Sequence, residues 1–444
     1  MPYNTKNPLK TSMYLLDSIT KSFHYEKDLI LSLKYELERH IYYYGNHFRH
    51  PFENNINDNS INNLFNNILY KIRNINYTLD KIKNWPQKAH FRDDKRNIAV
   101  CNAYFKWEKY LTTKRIAIHP PLWAPRKDAN PIEGLLREQC QLVQHVFRLG
   151  FHVILHPEFI KTLQKVTENI KEYYSHSSVK AFIFPYTNPY FEYITIKIFN
   201  ELKKKTFLVD HGHSTIKLCP RYCKFDYYVV WGGSEYFDLT NNWIKKEQIL
   251  TSGSPIYQTL PAQPIKKVSL DDTLVLTYPI AGAPSSEVPI YPNRAIPLDY
   301  VYNIQYCLEK CGVKNAMLRP HPSESIQWFR KFTNSNFYTL TDEGLESALS
   351  KAGLVIGERT TVLFDALYHR VNYLCYMPKN YNEALPNKQD PPFDGKNKKV
   401  PVAETEDDLI YFLKNKITVD PSILEDYIHF PFNPRAITDI LDEL

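Results

Sequence analysis

From Arg115 onward, short runs of β-branched and aromatic residues alternate with stretches of helical periodicity, and this alternation narrows the possible folds more than any other feature. The first series reads RIAIHP, HVILHP, AFIFPY, TFLVDHG, YYVVWG and ILTSG; the second reads TLVLTYP, AMLRPHP, NFYTL, GLVIG and NYLCYMP. Short apolar runs separated by helical stretches predict parallel strands joined by crossover helices. A proline-marked stretch over 255–264 divides the two series, so two Rossmann-like halves are expected. Upstream, residues 12–113 show apolar residues at three- and four-residue spacing, broken by an Asn-rich connection over 53–63, which predicts helices. The expected organisation is a helical region over 1–113, Rossmann-like domains over 114–262 and 263–430, and a helix over 431–444 that crosses back to the first half. A chain of 444 residues has room for this arrangement.

Composition narrows the function classes. With 43% hydrophobic and 14% aromatic residues the chain is not globally disordered. The net charge of +7 is modest, but lysines cluster at Lys203 to Lys205, Lys266 and Lys267, and Lys396 to Lys399. Such clusters attract anionic partners, and peripheral contact with an anionic membrane surface is one expectation. No nucleic-acid-binding motif stands beside them, so nucleic acid is not an expected partner. The sequence contains no run of about 18 apolar residues and no secretory-type N-terminus, which points to the cytoplasm. Seven scattered cysteines suit reduced thiols better than a disulfide framework.

The polar residues that follow the expected strands are the candidates for chemistry, because open parallel sheets bind ligands beyond their strands' carboxyl ends. In LVDHGHSTIK, Asp210 and His211 open directly off an apolar run, and Gly212 permits a tight turn. An imidazole there can take a proton from an acceptor hydroxyl, with Asp210 orienting it or acting as the base. His213 and Lys217 lie close enough in the chain to join acceptor binding. LRPHP places His321 between two prolines that restrict its backbone, with Arg319 two residues before it and Pro322 after. In GLVIGERTTVLFDAL, Glu358, Thr360 and Thr361 follow a strand and precede a helix, a place where hydroxyls and unpaired N–H groups suit a phosphate. Tyr278 also follows a strand, and Ser285 and Ser286 can meet a donor carboxylate. His211, His213, Cys219 and Cys223 are all zinc-ligand types, but their H-x-H and C-x3-C spacing matches no finger or treble-clef pattern. No Asp-x-Asp follows a strand, so no metal is expected. Cys307 and Cys311, four apart on a helix, read as buried thiols.

Taken in order, DHGHSTIK, TSGSPIYQ, LRPHPSE and GERTTVLFDAL resemble the catalytic domain of bacterial CDP-glycerol glycerophosphotransferases, the teichoic acid polymerases. The later motifs are also similar to the His-Pro and Ser/Thr motifs of bacterial sialyltransferases and polysialyltransferases. The likeness spans residues 205–380. It implies a GT-B fold, two Rossmann-like domains facing a cleft, with 114–262 as acceptor domain and 263–430 as nucleotide-donor domain. It further implies acceptor activation at His211, contact or protonation of the departing phosphate at His321, and donor-phosphate binding by Thr360 and Thr361. Two departures stand out: His213 and Ser214 add one residue before Lys217, and Thr-Thr replaces Ser-Ser. The acidic motif of the sialyltransferases is expected before the His-Pro motif, whereas its literal match here, Asp342-Glu343-Gly344, follows it. The expected function is inverting transfer of a CMP-activated acidic sugar, sialic acid or a relative, to a surface glycan, with no cofactor beyond the nucleotide donor. Transfer of glycerol or ribitol phosphate from a CDP donor is the alternative, and UDP-sugar epimerisation on the same fold is a second. A scaffold with a vestigial cleft is the non-enzyme reading, and paired histidines in separate halves argue against it.

Overall fold

The computed structural model describes residues 32–33, 36–37, 58–89, 96–102, 107–149, 151–185, 190–209, 224–233, 244–277, 295–322, 326–378, 392–393 and 395–444. In chain order the first part comprises helices α1 (Asp58–Lys81) and α2 (Trp85–Lys88), strand β1 (Asn97–Cys101), α3 (Trp107–Leu111), β2 (Ile116–His119), α4 (Pro131–Leu149), α5 (Phe151–Ile154) and α6 (Pro157–His176). It continues through β3 (Val179–Pro185), α7 (Tyr190–Glu201), β4 (Lys205–Val209), β5 (Tyr227–Val230) and β6 (Ile249–Thr251). The second part holds β7 (Thr273–Leu276), α8 (Ala295–Lys310), β8 (Ala316–Arg319), α9 (Ile326–Phe332), β9 (Tyr338–Leu340), α10 (Leu345–Lys351), β10 (Leu354–Gly357) and α11 (Val362–Tyr368). It ends with β11 (Tyr373–Tyr376), β12 (Val402–Ala403), α12 (Glu406–Lys414), α13 (Ile423–Tyr427) and α14 (Arg435–Asp442).

The strands form two separate six-stranded parallel sheets, in the orders β2-β1-β3-β4-β5-β6 and β12-β11-β10-β7-β8-β9. Both are covered on both faces, which is why their strands read as unbroken apolar runs. Phe182 and Phe184 of β3 enter one core with α1, α4, α6 and α7, while Ala181 and Ile183 enter another with α3 and α14. In the second sheet, Val355 and Tyr373 face α10, α11 and α13, and Leu354, Ile356 and Leu374 face α8 and α12. Two doubly wound sheets whose last helix returns to the first sheet make a GT-B architecture: α14 buries Ile437 and Leu441 there, and Asn97 Nδ2 donates to Leu441 O at 2.7 Å.

Two local expectations are corrected. The stretch 1–113 is not wholly helical: NIAVC forms β1, paired between β2 and β3. HVIL is not a strand; Phe151–Ile154 is a helical turn that buries Val153 and Ile154 between α4 and α6. A four-residue apolar run carries no period, and the site that buries it decides its conformation.

The long helix α1 is tied to the first domain by buried amides. Gln139 Nε2 and Asn169 Nδ2 both donate to Asn76 Oδ1, at 2.6 and 2.9 Å, and Asn169 Nδ2 also reaches Gln139 Oε1 at 3.2 Å. Removing one member strands the others without water, so Asn76→Ala is expected to cost about 2 kcal/mol. Urea unfolding of the full chain checks this; a loss below about 0.5 kcal/mol would mean that the amides find other partners.

Candidate functional site

The second sheet runs β7, β8, β9 to one side and β10, β11, β12 to the other, so its strand order reverses between β7 and β10. Ligands of such sheets bind in the crevice beyond the carboxyl ends at that reversal. Three segments of this chain end there. Thr277 follows β7, Arg319 closes β8 with Pro320 and His321 behind it, and Glu358 to Thr361 follow β10. β8 and β10 flank β7, so their ends stand roughly 10 Å apart, twice the spacing of paired strands. The His321 backbone N–H donates to Thr277 Oγ1 at 3.2 Å, which fixes the His-Pro turn against the neighbouring strand.

His321 is half-buried, and desolvation first, with the Arg319 charge second, pushes its imidazole down to about 4. The ring is therefore neutral near pH 7 in the free protein, not the standing cation that a proton donor to phosphate would be. An arriving phosphate supplies the opposite charge that favours protonation. Arg319 donates from Nε to Glu343 O at 3.0 Å, and burial lowers its own pKa. One guanidinium edge is thereby committed to the turn before α10. Pro322 is exposed.

On the β10 side, Gly357 allows a close approach. A Cβ there would overlap the Tyr373 hydroxyl, which donates to Glu358 O. Glu358 is 6% exposed. Thr360 Oγ1 accepts weakly from Val362 N–H at 3.4 Å, and the Thr361 hydroxyl caps nothing in α11. Both threonines are half-exposed and lie between the end of β10 and the start of α11. Asp365, in the first turn of α11, accepts from the Tyr257 hydroxyl at 2.9 Å, and burial raises its carboxyl to about 6.

Asp210, His211, His213, Lys217, Tyr278, Ser285 and Ser286 lie outside the described residues, as do Cys219 and Cys223 of the zinc alternative. The described strands before two of these segments are β4, which ends at Val209 in register with Pro185 and Val229, and β7, which ends at Leu276. Among the described residues no group of three or more His, Cys, Asp or Glu side chains is arranged to hold a metal ion.

The first sheet reverses between β1 and β3, where it brings together residues that no sequence motif marks. Asn102, just past β1, donates from Nδ2 to Glu192 Oε1 at 2.8 Å, and Glu192 is 2% exposed. Phe191 stacks on Trp123 at 5.7 Å in the β2–α4 connection. That connection is pinned by Arg137, which pairs with buried Glu133 at 2.6 Å and donates to the Pro121 carbonyl at 2.6 Å. Asn102 was hidden because β1 read as helix, and Glu192 because a first-turn acid is ordinary helix chemistry.

The lysine clusters are partly engaged within the protein. Lys204 Nζ donates to the Ser177 and Val179 carbonyls at 3.0 and 2.5 Å, and burial lowers it to about 8. Lys205 pairs with Asp226 at 3.3 Å, and Lys399 with Asp426 at 2.6 Å. Among the described residues no helix is long and apolar enough to cross a membrane.

No protein-family model matches the chain, and no curated protein matches it in sequence. Solved structures similar in overall fold include the UDP-GlcNAc 2-epimerase of Methanocaldococcus jannaschii, at 12% identity and TM-score 0.45, covering 78% of this chain and 100% of that one. The UDP-GlcNAc 2-epimerase of Neisseria meningitidis bound to UDP-GlcNAc matches at 11% and 0.46, over 78% and 98% of the two chains. The wall teichoic acid polymerase TagF matches at 12% and 0.44, over 86% and 97%. None of these likenesses gives a residue of this chain a role.

Proposed function

We propose that this chain is an inverting transferase that moves a CMP-activated acidic sugar, sialic acid or a relative, to a hydroxyl of a bacterial surface glycan. The observation that carries the reading is the crevice at the reversal of the second sheet. The segment that carries His321 follows β8 and the segment that carries Thr360 and Thr361 follows β10, the two strands that flank β7 at that reversal. The preference for a CMP donor rests on the likeness of the His-Pro and Thr-Thr motifs to those of bacterial sialyltransferases.

In this reaction the acceptor oxygen attacks the anomeric carbon as the bond from that carbon to the phosphate oxygen breaks. Asp210 or His211 takes the acceptor proton. The phosphate leaves with the bonding electron pair, and Thr360, Thr361 and His321 stabilise the charge that develops on it. His321 takes up a proton from solvent when the donor phosphate binds, and the resulting imidazolium donates a hydrogen bond to the departing phosphate. Glu358, Tyr278, Ser285 and Ser286 complete the donor side, while His213 and Lys217 serve the acceptor.

A ligand that binds only the folded state raises the unfolding midpoint in proportion to occupancy, so thermal shifts with CMP, CDP, UDP and GDP test the reading. CMP and CDP are expected to stabilise the protein, with EDTA present or absent. CMP leaves in both cytidine readings, so a clearly larger shift with CDP than with CMP favours polyol-phosphate transfer, and a response to UDP alone favours the epimerase reading. Stabilisation only with added magnesium or manganese would overturn metal-independent donor binding.

A further inference from the structure

Two of the sequence motifs take no part in the chemistry above. One is the turn over 252–258, and the other is the Phe364-Asp365 pair of α11. A hydrogen bond across the domain boundary joins them, since the Tyr257 hydroxyl donates to Asp365 Oδ1 at 2.9 Å.

The turn that carries Tyr257 is tied by its backbone to the first sheet, while the ring itself enters the second domain's core with Trp231, Leu363 and Phe364. That turn continues β6, where Ser252 N–H donates to Val230 O at 3.1 Å and Ser252 O accepts from Asn433 N–H at 2.7 Å. Gly253 holds a φ of +73°, and a Cβ there would overlap the His429 carbonyl, so the turn is locked against the returning C-terminal segment. Tyr257 itself is 1% exposed, and its ring packs edge-on against Trp231, just past β5, at 5.6 Å. Its hydroxyl reaches the second domain.

Asp365 belongs to the donor side. In its helical turn, Leu363 N–H donates to Thr360 O at 3.1 Å and Phe364 N–H to Thr361 O at 2.9 Å. Any displacement of this turn therefore moves both threonines. Tyr368, one turn further along α11, packs on the Tyr257 ring at 5.2 Å.

We propose that Tyr257 and Asp365 form a tie that sets the position of the Thr360 and Thr361 hydroxyls relative to the first domain, Asp365 being a positioning residue for the donor phosphate. The tie rests on the donor-site reading above, and it gives an interdomain enzyme what it needs: the donor hydroxyls are registered against the half that carries the acceptor base. The ring of Tyr257 supplies packing, and its hydroxyl supplies the registration.

Hydrogen exchange on the full chain tests the tie without any ligand. Tyr257→Phe keeps the ring, so the amides over 360–368 are expected to exchange about tenfold faster while those of β1 to β4 and α8 are unchanged. Asp365→Asn retains an acceptor oxygen and should exchange like the wild type, whereas Asp365→Ala should match Tyr257→Phe. Wild-type exchange over 360–368 in Tyr257→Phe overturns the proposal, and so does equal acceleration throughout both domains, which is a plain loss of stability. In parallel, calorimetric titration with CMP should show about tenfold weaker binding to Tyr257→Phe, and unchanged affinity beside faster local exchange would overturn the positioning role. A wild-type protein that binds neither CMP nor CDP sinks the donor-site reading, and the exchange result still decides whether the tie exists.

Discussion

His211→Ala is expected to lower turnover by about 100- to 10,000-fold while leaving CMP affinity within about twofold of wild type. The asymmetry follows from where the motif departs. In the proposed reaction the base follows β4 in the chain and serves the acceptor, whereas the donor phosphate is assigned to the segments after β7, β8 and β10. A base with that role need not touch the nucleotide. Asp210→Asn should lower turnover as well, and by a similar factor if Asp210 is the base. Single-turnover rates together with titration of CMP decide the matter. If His211→Ala loses CMP binding with its fold intact, the histidine belongs to the donor side and the division of labour is wrong.

The second domain was the more legible half of the chain. TLVL, LVIG and YLCY are runs of four fully buried residues, AMLR is buried at alternate positions, each is bracketed by turn-forming or polar residues, and all four became strands of one sheet. Periodicity failed where the tertiary environment decides. NIAVC has the same character as those strands, but it follows the charged stretch RDDKR and a long helical region, and nothing local distinguishes it from a helix end. HVIL is as apolar as AMLR, yet it turns as a helix because it fills the corner between two helices. Such runs are ambiguous from sequence because either conformation buries them equally well.

The same limit applies to the site. That His321, Thr360 and Thr361 follow strands was legible because each apolar run before them stops at polar or turn-forming residues; their part in the reaction is the proposal above. The neutrality of His321 was not, because it arises from burial and from Arg319, and only packing sets these. The Tyr257–Asp365 bond joins residues 108 positions apart, and nothing in either motif points to the other. Asn102 and Glu192, 90 positions apart, were hidden in the same way.

His321→Ala is expected to weaken CMP binding about 10- to 100-fold and to lower turnover further, because the proposed contact with the donor phosphate forms before the chemical step and strengthens during it. Its pH dependence separates this role from a packing role. In the free protein the ring is neutral above about pH 5, since its pKa lies near 4. A phosphate beside it raises that value, so binding takes up a proton and affinity grows as the pH falls from 8 towards 6. The alanine variant should lose this slope. Stability should shift as well. His321 is held down to about 4, below the ordinary value of 6.5, so between those limits the unfolded chain takes the proton first and acid destabilises the native state. Asp365 acts in the opposite sense: with its carboxyl raised to about 6, its native state takes the proton first, and that stabilisation fades as the pH rises through 6. Removing His321 abolishes the first effect and leaves the other groups as they were, so the variant should gain stability relative to wild type as the pH falls from 6.5 to 4. Urea midpoints for the two proteins across that window would show it, and a constant difference would mean that His321 titrates in the folded protein as it does in water.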